Sequence, residues 1–294
     1  MLLRITFIAL LVAGCFCTMR LSAADKEPLK PAPLEREGAP PARKKAEVET
    51  VLKGSVEVSK PLRKLNVVLT AGPKDHGKGE HDYPLWQRRW VNLFDVAENI
   101  TVSEAKEWPT PAQLEKADLV VFYSANPGWS EERAKELDAY LKRGGGLVYI
   151  HWAVNGGKAQ QALSDRIGLA WKDGQSKYRH GPLELAFPDA KHPIARNFEK
   201  VKFEDESYWK LGGDPKAISV VATAEEDGAA QPLMWTHEVG KGRVFVSIPG
   251  HYTWTFDDPL YRVLILRGMA WAAGESVDRF NALATEGARL QETP

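Results

Sequence analysis

Cysteine is nearly absent. The 294-residue chain has two, Cys15 and Cys17, and both fall in an N-terminal apolar run. Arg4 precedes that run, Ile5 to Cys17 carries no charge, and Ser22-Ala23-Ala24 offers a small-residue cleavage site before Asp25. The pattern predicts a secretory leader over residues 1–24, too short for a comfortable membrane span. Cleavage there leaves a mature chain without a thiol. That excludes disulfides, thiolate metal ligands and a cysteine nucleophile. Val12-Ala13-Gly14-Cys15 supports a second reading, a lipoprotein signal in which a lipidated Cys15 anchors the protein to a membrane. Both readings place the protein outside the cytoplasm, in the periplasm or beyond the cell.

An excess of one charge is also missing, with 39 Lys and Arg against 39 Asp and Glu. No basic patch or Lys/Arg run marks the globular part, so nucleic acid is not an expected partner. Short catalytic signatures are absent too: there is no HExxH, no GxSxG, no GxGxxG after the first strand and no P-loop. Lys158 follows Gly156-Gly157 without phosphate-loop spacing. No internal repeat is seen.

What is present divides the chain. Residues 25–64 hold six prolines, many charges and few large apolar residues before Val48, which predicts a disordered linker. Residues 65–274 are globular in composition and long enough for one α/β domain with a large core. Residues 275–294 read as a surface helix and tail. Within the domain, Leu65 to Thr70, Asp118 to Tyr123 and Leu147 to Ile150 are short apolar runs expected to be buried parallel strands. Pro84 opens a helical pattern of Leu85, Trp86, Trp90, Leu93 and Phe94. Ser130 is a helix N-cap candidate, and that helix stops at Gly144-Gly145-Gly146. Strand candidates follow at 182–187, 201–206, 217–224, 232–239 and 243–248, then a last helix over 260–273 with Asp257-Asp258 as its cap. Alternating strand and helix make a right-handed parallel α/β sheet the economical fold.

Ligands of such sheets bind beyond the carboxyl ends of the strands. The loop after the first strand carries Asp75, His76, Glu80, His81 and Asp82, and the next strand leads to Asn126 and Trp129. The third strand delivers His151-Trp152, and Pro249-Gly250-His251 ends the 243–248 strand. Imidazoles brought together there suit proton transfer or metal binding. Each has a plainer reading: His76 solvated in a loop, His151 bonded to a backbone carbonyl in the core. His180 is a further candidate; His192 reads as a structural turn and His237 as surface or packing. Glu204 to Tyr208 is either a solvated acidic turn or a source of a general acid or metal carboxylate. Of the ten tryptophans, Trp129, Trp152 and Trp254 near strand ends could floor a sugar site.

Gly79-Glu-His-Asp-Tyr-Pro84, Gly144-Gly-Gly-Leu-Val-Tyr-Ile-His151, Lys191-His-Pro-Ile194, Asp205-Glu-Ser-Tyr208, Gly240-Lys-Gly-Arg-Val-Phe245, Pro249-Gly-His251 and Arg267-Gly-Met-Ala-Trp-Ala-Ala-Gly274 occur in this order. The set resembles the trehalose-utilisation (ThuA-like) family over residues 65–274. The resemblance implies a class I glutamine amidotransferase-like fold: a flavodoxin-like, three-layer α/β sandwich with a mainly parallel central sheet. Amidotransferases present a cysteine on the turn after a Gly-Gly-rich strand. Here the corresponding stretch presents His151-Trp152, so glutaminase activity is not expected.

The family is associated with oxidised disaccharides, especially 3-keto-glycosides. A ring ketone acidifies the neighbouring C–H, and a base can then drive loss of the anomeric substituent. The expectation is an exported protein acting by acid/base chemistry on a small-molecule carbohydrate, as a hydrolase or lyase. His151 or His81 would be the base and Glu206 the second proton-transfer group. Asp82, Trp152, His180, Tyr208 and Trp254 would bind the sugar. His76 and His251 would bind substrate or a divalent metal such as zinc or manganese, which could polarise the ketone. Two other readings stand beside it: a metal-dependent hydrolase of another class ligated by His76, His81, His151 and His251, and a non-catalytic carbohydrate-binding module.

Overall fold

The computed structural model describes residues 29–127 and 129–291. The expected leader, with Cys15 and Cys17, lies outside them. The elements in chain order are α1 (Lys45–Leu52), β1 (Leu65–Ala71), α2 (Tyr83–Phe94), β2 (Ile100–Lys106), α3 (Pro111–Lys116), β3 (Leu119–Tyr123), α4 (Glu131–Lys142), β4 (Gly146–Ile150), α5 (Gln160–Ile167), β5 (Leu169–Ala170), β6 (Lys177–Ala186), β7 (Lys200–Trp209), β8 (Gly212–Gly213), β9 (Ser219–Glu226), β10 (Ala229–Val239), β11 (Gly242–Ser247) and α6 (Pro259–Ala272).

Nine strands form one sheet in the order β2-β1-β3-β4-β11-β10-β9-β6-β7. The first five run parallel, and the other four continue antiparallel. β5 and β8 pair separately as a short antiparallel ribbon. Strands β3 and β4 are buried along their whole length, which requires cover on both faces of the sheet. Side-chain alternation shows how that cover is divided. Tyr123 meets Trp86 of α2, whereas its neighbour Phe122 stacks on Tyr149 and meets Trp108. Helix α6 shares the α2 face, where Gly268 lies so close to Phe245 that a Cβ would fall 2.2 Å from its ring. Helices α4 and α5 join on the other face, where Arg166 donates to the Ala134 carbonyl at 2.9 Å. The result is the expected three-layer α/β sandwich.

Caps behave as their residue types dictate. The Ser130 hydroxyl accepts from Arg133 N–H, and Asp258 caps α6 by accepting from Leu260 and Tyr261 N–H. Strand β2 and helices α3 and α5 add to the expected elements. β2 is an edge strand with most side chains exposed, so no apolar run announces it.

Residues 25–64 were expected to be a disordered linker, but their described part is a strap packed on the domain. Helix α1 buries Val48 and Val51. Arg267, fully buried in α6, donates to the carbonyls of Val51 at 2.9 Å and Arg196 at 2.8 Å. Upstream, Ala32 N–H donates to Asp257 Oδ2 at 2.7 Å and Arg43 Nε to Asp258 Oδ2 at 2.8 Å. Proline and charge content describe the outer side of this strap; its anchors lie more than 200 positions away in sequence. The C-terminal segment, expected to contain a helix, forms only a 3-10 turn at Asn281–Ala284 among the described residues. It then returns beside the strap through a bridge between Arg43 and Leu290. Among the described residues, no helix is long and apolar enough to cross a membrane.

Candidate active site

The loop after β1, the turn after β4 and the exit of β11 converge at the carboxyl edge of the parallel strands. The backbone there is unusual. His81 has φ +40° and His151 φ +57°, in the left-handed region that costs a non-glycine residue about 1–3 kcal/mol. Gly250 has φ +144°, and a Cβ on it would lie 2.9 Å from Ile150 Cγ2 and 3.2 Å from His151 Cβ. Only glycine lets the β11 exit pass this close to His151.

The fourth wall comes from the far edge of the sheet. β6 touches β9 only at Ala186–Thr223, so the β6–β7 hairpin leaves the sheet and its open end reaches the strand termini. Cross-strand register sets His180 opposite Glu206 and Tyr178 opposite Tyr208. Alternation along β7 turns Glu206 and Tyr208 toward the imidazoles and Asp205 the other way. Asp205 accepts from the backbone N–H of Glu206 at 2.7 Å and of Gly250 and His251 at 3.0 Å each, and from the Thr255 hydroxyl. It locks β7 to the His251 loop.

Four buried side chains meet as a result: His81, His151, Glu206 and His251, with one ligand-capable atom each lying within 4.8 Å of the others. His151 Nε2 is 2.9 Å from His81 Nε2, 3.3 Å from His251 Nδ1 and 3.2 Å from Glu206 Oε2. His251 Nδ1 is 2.9 Å from Glu206 Oε2. The outer ring nitrogens set the tautomers. His151 Nδ1 donates to the Ile248 carbonyl at 2.7 Å, and His81 Nδ1 lies 2.9 Å from Asp75 Oδ1. The two Nε2 atoms then face each other across the group. Burial, reinforced by the neighbouring imidazoles and only partly offset by Asp75, pushes His81 down to about 3. Burial works to raise Glu206, but hydrogen bonds from His151 and His251 outweigh it and hold the carboxyl well below its usual range. Tyr208 donates to Glu206 Oε2 at 3.0 Å and stacks on His151; burial and the Glu206 charge push its phenol far up, so it stays a donor.

The structure thus joins His81, His151 and Glu206, expected as acid/base groups, with His251, expected as a metal ligand. His76 stands outside this group, half-exposed, with Nδ1 2.8 Å from Asp75 Oδ1. His180 sits at the mouth, its Nε2 3.5 Å from Glu206 Oε1 and its Nδ1 3.1 Å from Tyr252 Oη. Trp152 packs against Tyr208 and Trp171 beside the group.

Two expected sugar contacts are corrected. Asp82 neither orients His81 nor faces the group; it caps α2 by accepting from Leu85 N–H at 3.1 Å. Asp75 does the orienting, because the loop folds back by six residues. Trp254 is buried under Tyr252, and its indole donates to the Glu204 carbonyl at 2.9 Å. Trp129 likewise donates inward, to the Ala159 carbonyl, and Asn126 ties the β3 loop to the carbonyls of Ala153 and Asn155. His192 and His237 are structural, as expected: one accepts from Ile194 N–H, the other bonds the Ala217 carbonyl. Sequence reasoning missed Tyr83, whose hydroxyl is 2.8 Å from His81 Nδ1, and Asp205. Both lie within stretches that carry the family resemblance, but nothing in those stretches assigns them a role; only the hairpin's fold-back gives Asp205 its amides.

Residues 64–272 match the family described as ThuA, trehalose utilisation. The chain belongs to the ThuA family. That membership links it to trehalose utilisation. A search of curated proteins finds no match. Among solved structures it is similar to a putative ThuA-like protein from Parabacteroides merdae, at 23% identity over 73% of this chain and 92% of that one, with a TM-score of 0.56. A putative ThuA-like protein from Bacteroides uniformis is similar at 13% identity over 75% of this chain and 99% of that one, with a TM-score of 0.57. These likenesses bear on the fold, which is glutamine amidotransferase-like. In this ThuA-family chain the tight turn after β4 carries the imidazole of His151.

Proposed function

We propose that this ThuA-family protein is an exported carbohydrate-active enzyme, acting on glycosides of the 3-keto type, with a divalent metal at its centre. His81 Nε2, His151 Nε2, His251 Nδ1 and Glu206 Oε2 would hold it. One observation carries this reading: four buried side chains bring His81 Nε2, His151 Nε2, His251 Nδ1 and Glu206 Oε2 within 4.8 Å of one another, with the outer nitrogens of His81 and His151 already engaged by Asp75 and the Ile248 carbonyl. Such a set converges its ligand atoms on one point, and its nitrogen and oxygen atoms suit zinc or manganese. When bound, the metal supplies Lewis acidity toward a sugar carbonyl or hydroxyl oxygen.

On this reading His81, His151 and Glu206 serve as ligands rather than as free acids and bases. Proton transfer falls to His180, which is half-exposed at the mouth and keeps Nε2 beside Glu206. Burial lowers its basicity, opposed by the Glu206 charge, which favours a neutral ring able to take the proton next to a ketone. Trp152, Trp171 and exposed Tyr178 offer aromatic faces for the sugar beside it. The elbow of His151 offers no sulfur, so no thioester chemistry is available there.

The test pairs metal analysis with turnover. Purified protein should carry about one zinc or manganese per chain, and chelation should abolish cleavage of a 3-keto-disaccharide. His151→Ala should lose both metal and activity, while His180→Ala should keep the metal and lose activity by about 10²–10⁴-fold. Full turnover by metal-free protein would sink the reading.

A further inference from the structure

The strap crosses the site between two anchors, Ala32 on Asp257 and Arg43 on Asp258. Between them, Glu35 Oε2 accepts from Gly79 N–H at 3.2 Å, and Arg36 forms an ion pair with Glu80. The Arg36 guanidinium also lies 4.7 Å from the centre of the Tyr252 ring. Glu80 Oε1 in turn stands 3.5 Å from His251 Nε2, the nitrogen on the far side of that ring from Glu206. His251 Nε2 is buried and makes no hydrogen bond, so Glu80 is the group beside it that can take its proton. The two loops are held as one unit: Thr253 N–H donates to the Gly79 carbonyl at 2.9 Å, and His81 N–H to the His251 carbonyl at 3.0 Å.

The other two imidazoles each have an outer acceptor, Asp75 for His81 and the Ile248 carbonyl for His151. We propose that Arg36 and Glu80 complete this pattern as positioning residues: the strap's arginine holds the Glu80 carboxylate against His251 Nε2, so that Nδ1 is kept free to bind the metal. The inference rests on the metal reading above. A carboxylate behind a ligating imidazole fixes its tautomer and ring orientation and raises its basicity. Glu80 is part-exposed, so without Arg36 it is free to turn to solvent. A segment with a linker's composition thereby becomes part of the site, and its Arg36 is needed for full metal affinity although it is not a ligand.

The experiment measures zinc affinity at fixed pH by competition with a chromophoric chelator, together with the visible spectrum of the cobalt(II)-loaded protein and the melting of the metal-free form. Arg36→Met and Glu80→Ala should each weaken zinc binding about 10- to 100-fold and shift the cobalt bands. The double variant should be no weaker than the worse single, because Arg36 acts through Glu80. Arg36→Lys should recover part of the loss. Arg43→Met removes an anchor that touches no ligand, and should bind zinc like the wild type even if it melts earlier. Affinity of Arg36→Met within twofold of wild type overturns the inference and leaves the metal reading standing. So does an equal loss in Arg43→Met, which would make the strap a merely structural clamp. A wild type that binds neither zinc nor cobalt overturns both.

Discussion

Replacing Asp205 tests whether the site is built by one buried acceptor. The residue is 1% exposed. Its carboxylate receives three backbone N–H groups, from Glu206, Gly250 and His251, and the Thr255 hydroxyl. Asp205→Ala leaves all four donors buried without that partner. Each orphaned donor costs about 1–3 kcal/mol, and some relax onto water or other carbonyls. Losing the buried charge offsets part of the total. The expected net loss is about 3–6 kcal/mol, a large share of the roughly 5–15 kcal/mol that stabilises a typical domain. Asp205→Asn keeps an oxygen in place for the three amides and should lose only about 1–2 kcal/mol. Urea unfolding of chelator-treated protein, followed by tryptophan fluorescence, reads both. The same preparations should show weaker zinc binding for Asp205→Ala, because the His251 loop and β7 are no longer tied. Two results would refute the reasoning: an alanine variant within about 1 kcal/mol of wild type, or an asparagine variant as damaged as the alanine one. The second would mean that charge, rather than the pattern of accepted hydrogen bonds, holds the loop.

Two further outcomes follow from the same geometry. His81 is held down to about 3 in the fold and titrates near 6.5 when unfolded. Between those values the unfolded chain binds a proton that the folded chain refuses, so metal-free protein should lose stability as pH falls from about 6.5 toward 3. Urea midpoints across that range should drop, and less steeply in His81→Gln; a flat wild-type profile would contradict the burial argument. Gly250→Ala should cost about 2–3 kcal/mol and impair metal binding, because the new methyl meets Ile150 and His151 in a backbone conformation hostile to side chains. Unchanged melting in that variant would show that the β11 exit has room to shift.

The parts of the fold that could be read in advance were those in which a residue's neighbours in sequence set its state. Strands β1, β3 and β4 are apolar runs because both their faces are covered, and α2, α4 and α6 show apolar periodicity and caps. Strand β2 escaped notice because this edge strand is exposed and polar along most of its length. The strand-end rule set His81, His151 and His251 at one edge, where the structure brings them together, since a parallel strand's direction fixes which end faces that edge. It could not separate Asp75 from Asp82, because loop curvature and not spacing decides which carboxylate meets the ring. Nor could it show that Trp254 is buried.

The amino-acid sequence on its own determined the class of sheet, the absence of cysteine after residue 17 and the histidines available at the strand ends. Local pattern and composition suffice for those. Tertiary structure alone decided that the β6–β7 hairpin folds back to bring Glu206 and Asp205 to the imidazoles, and that a proline-rich strap sets Arg36 on Glu80. Both depend on contacts between segments tens to hundreds of positions apart, where shape and burial choose the partners and no local signal records the choice.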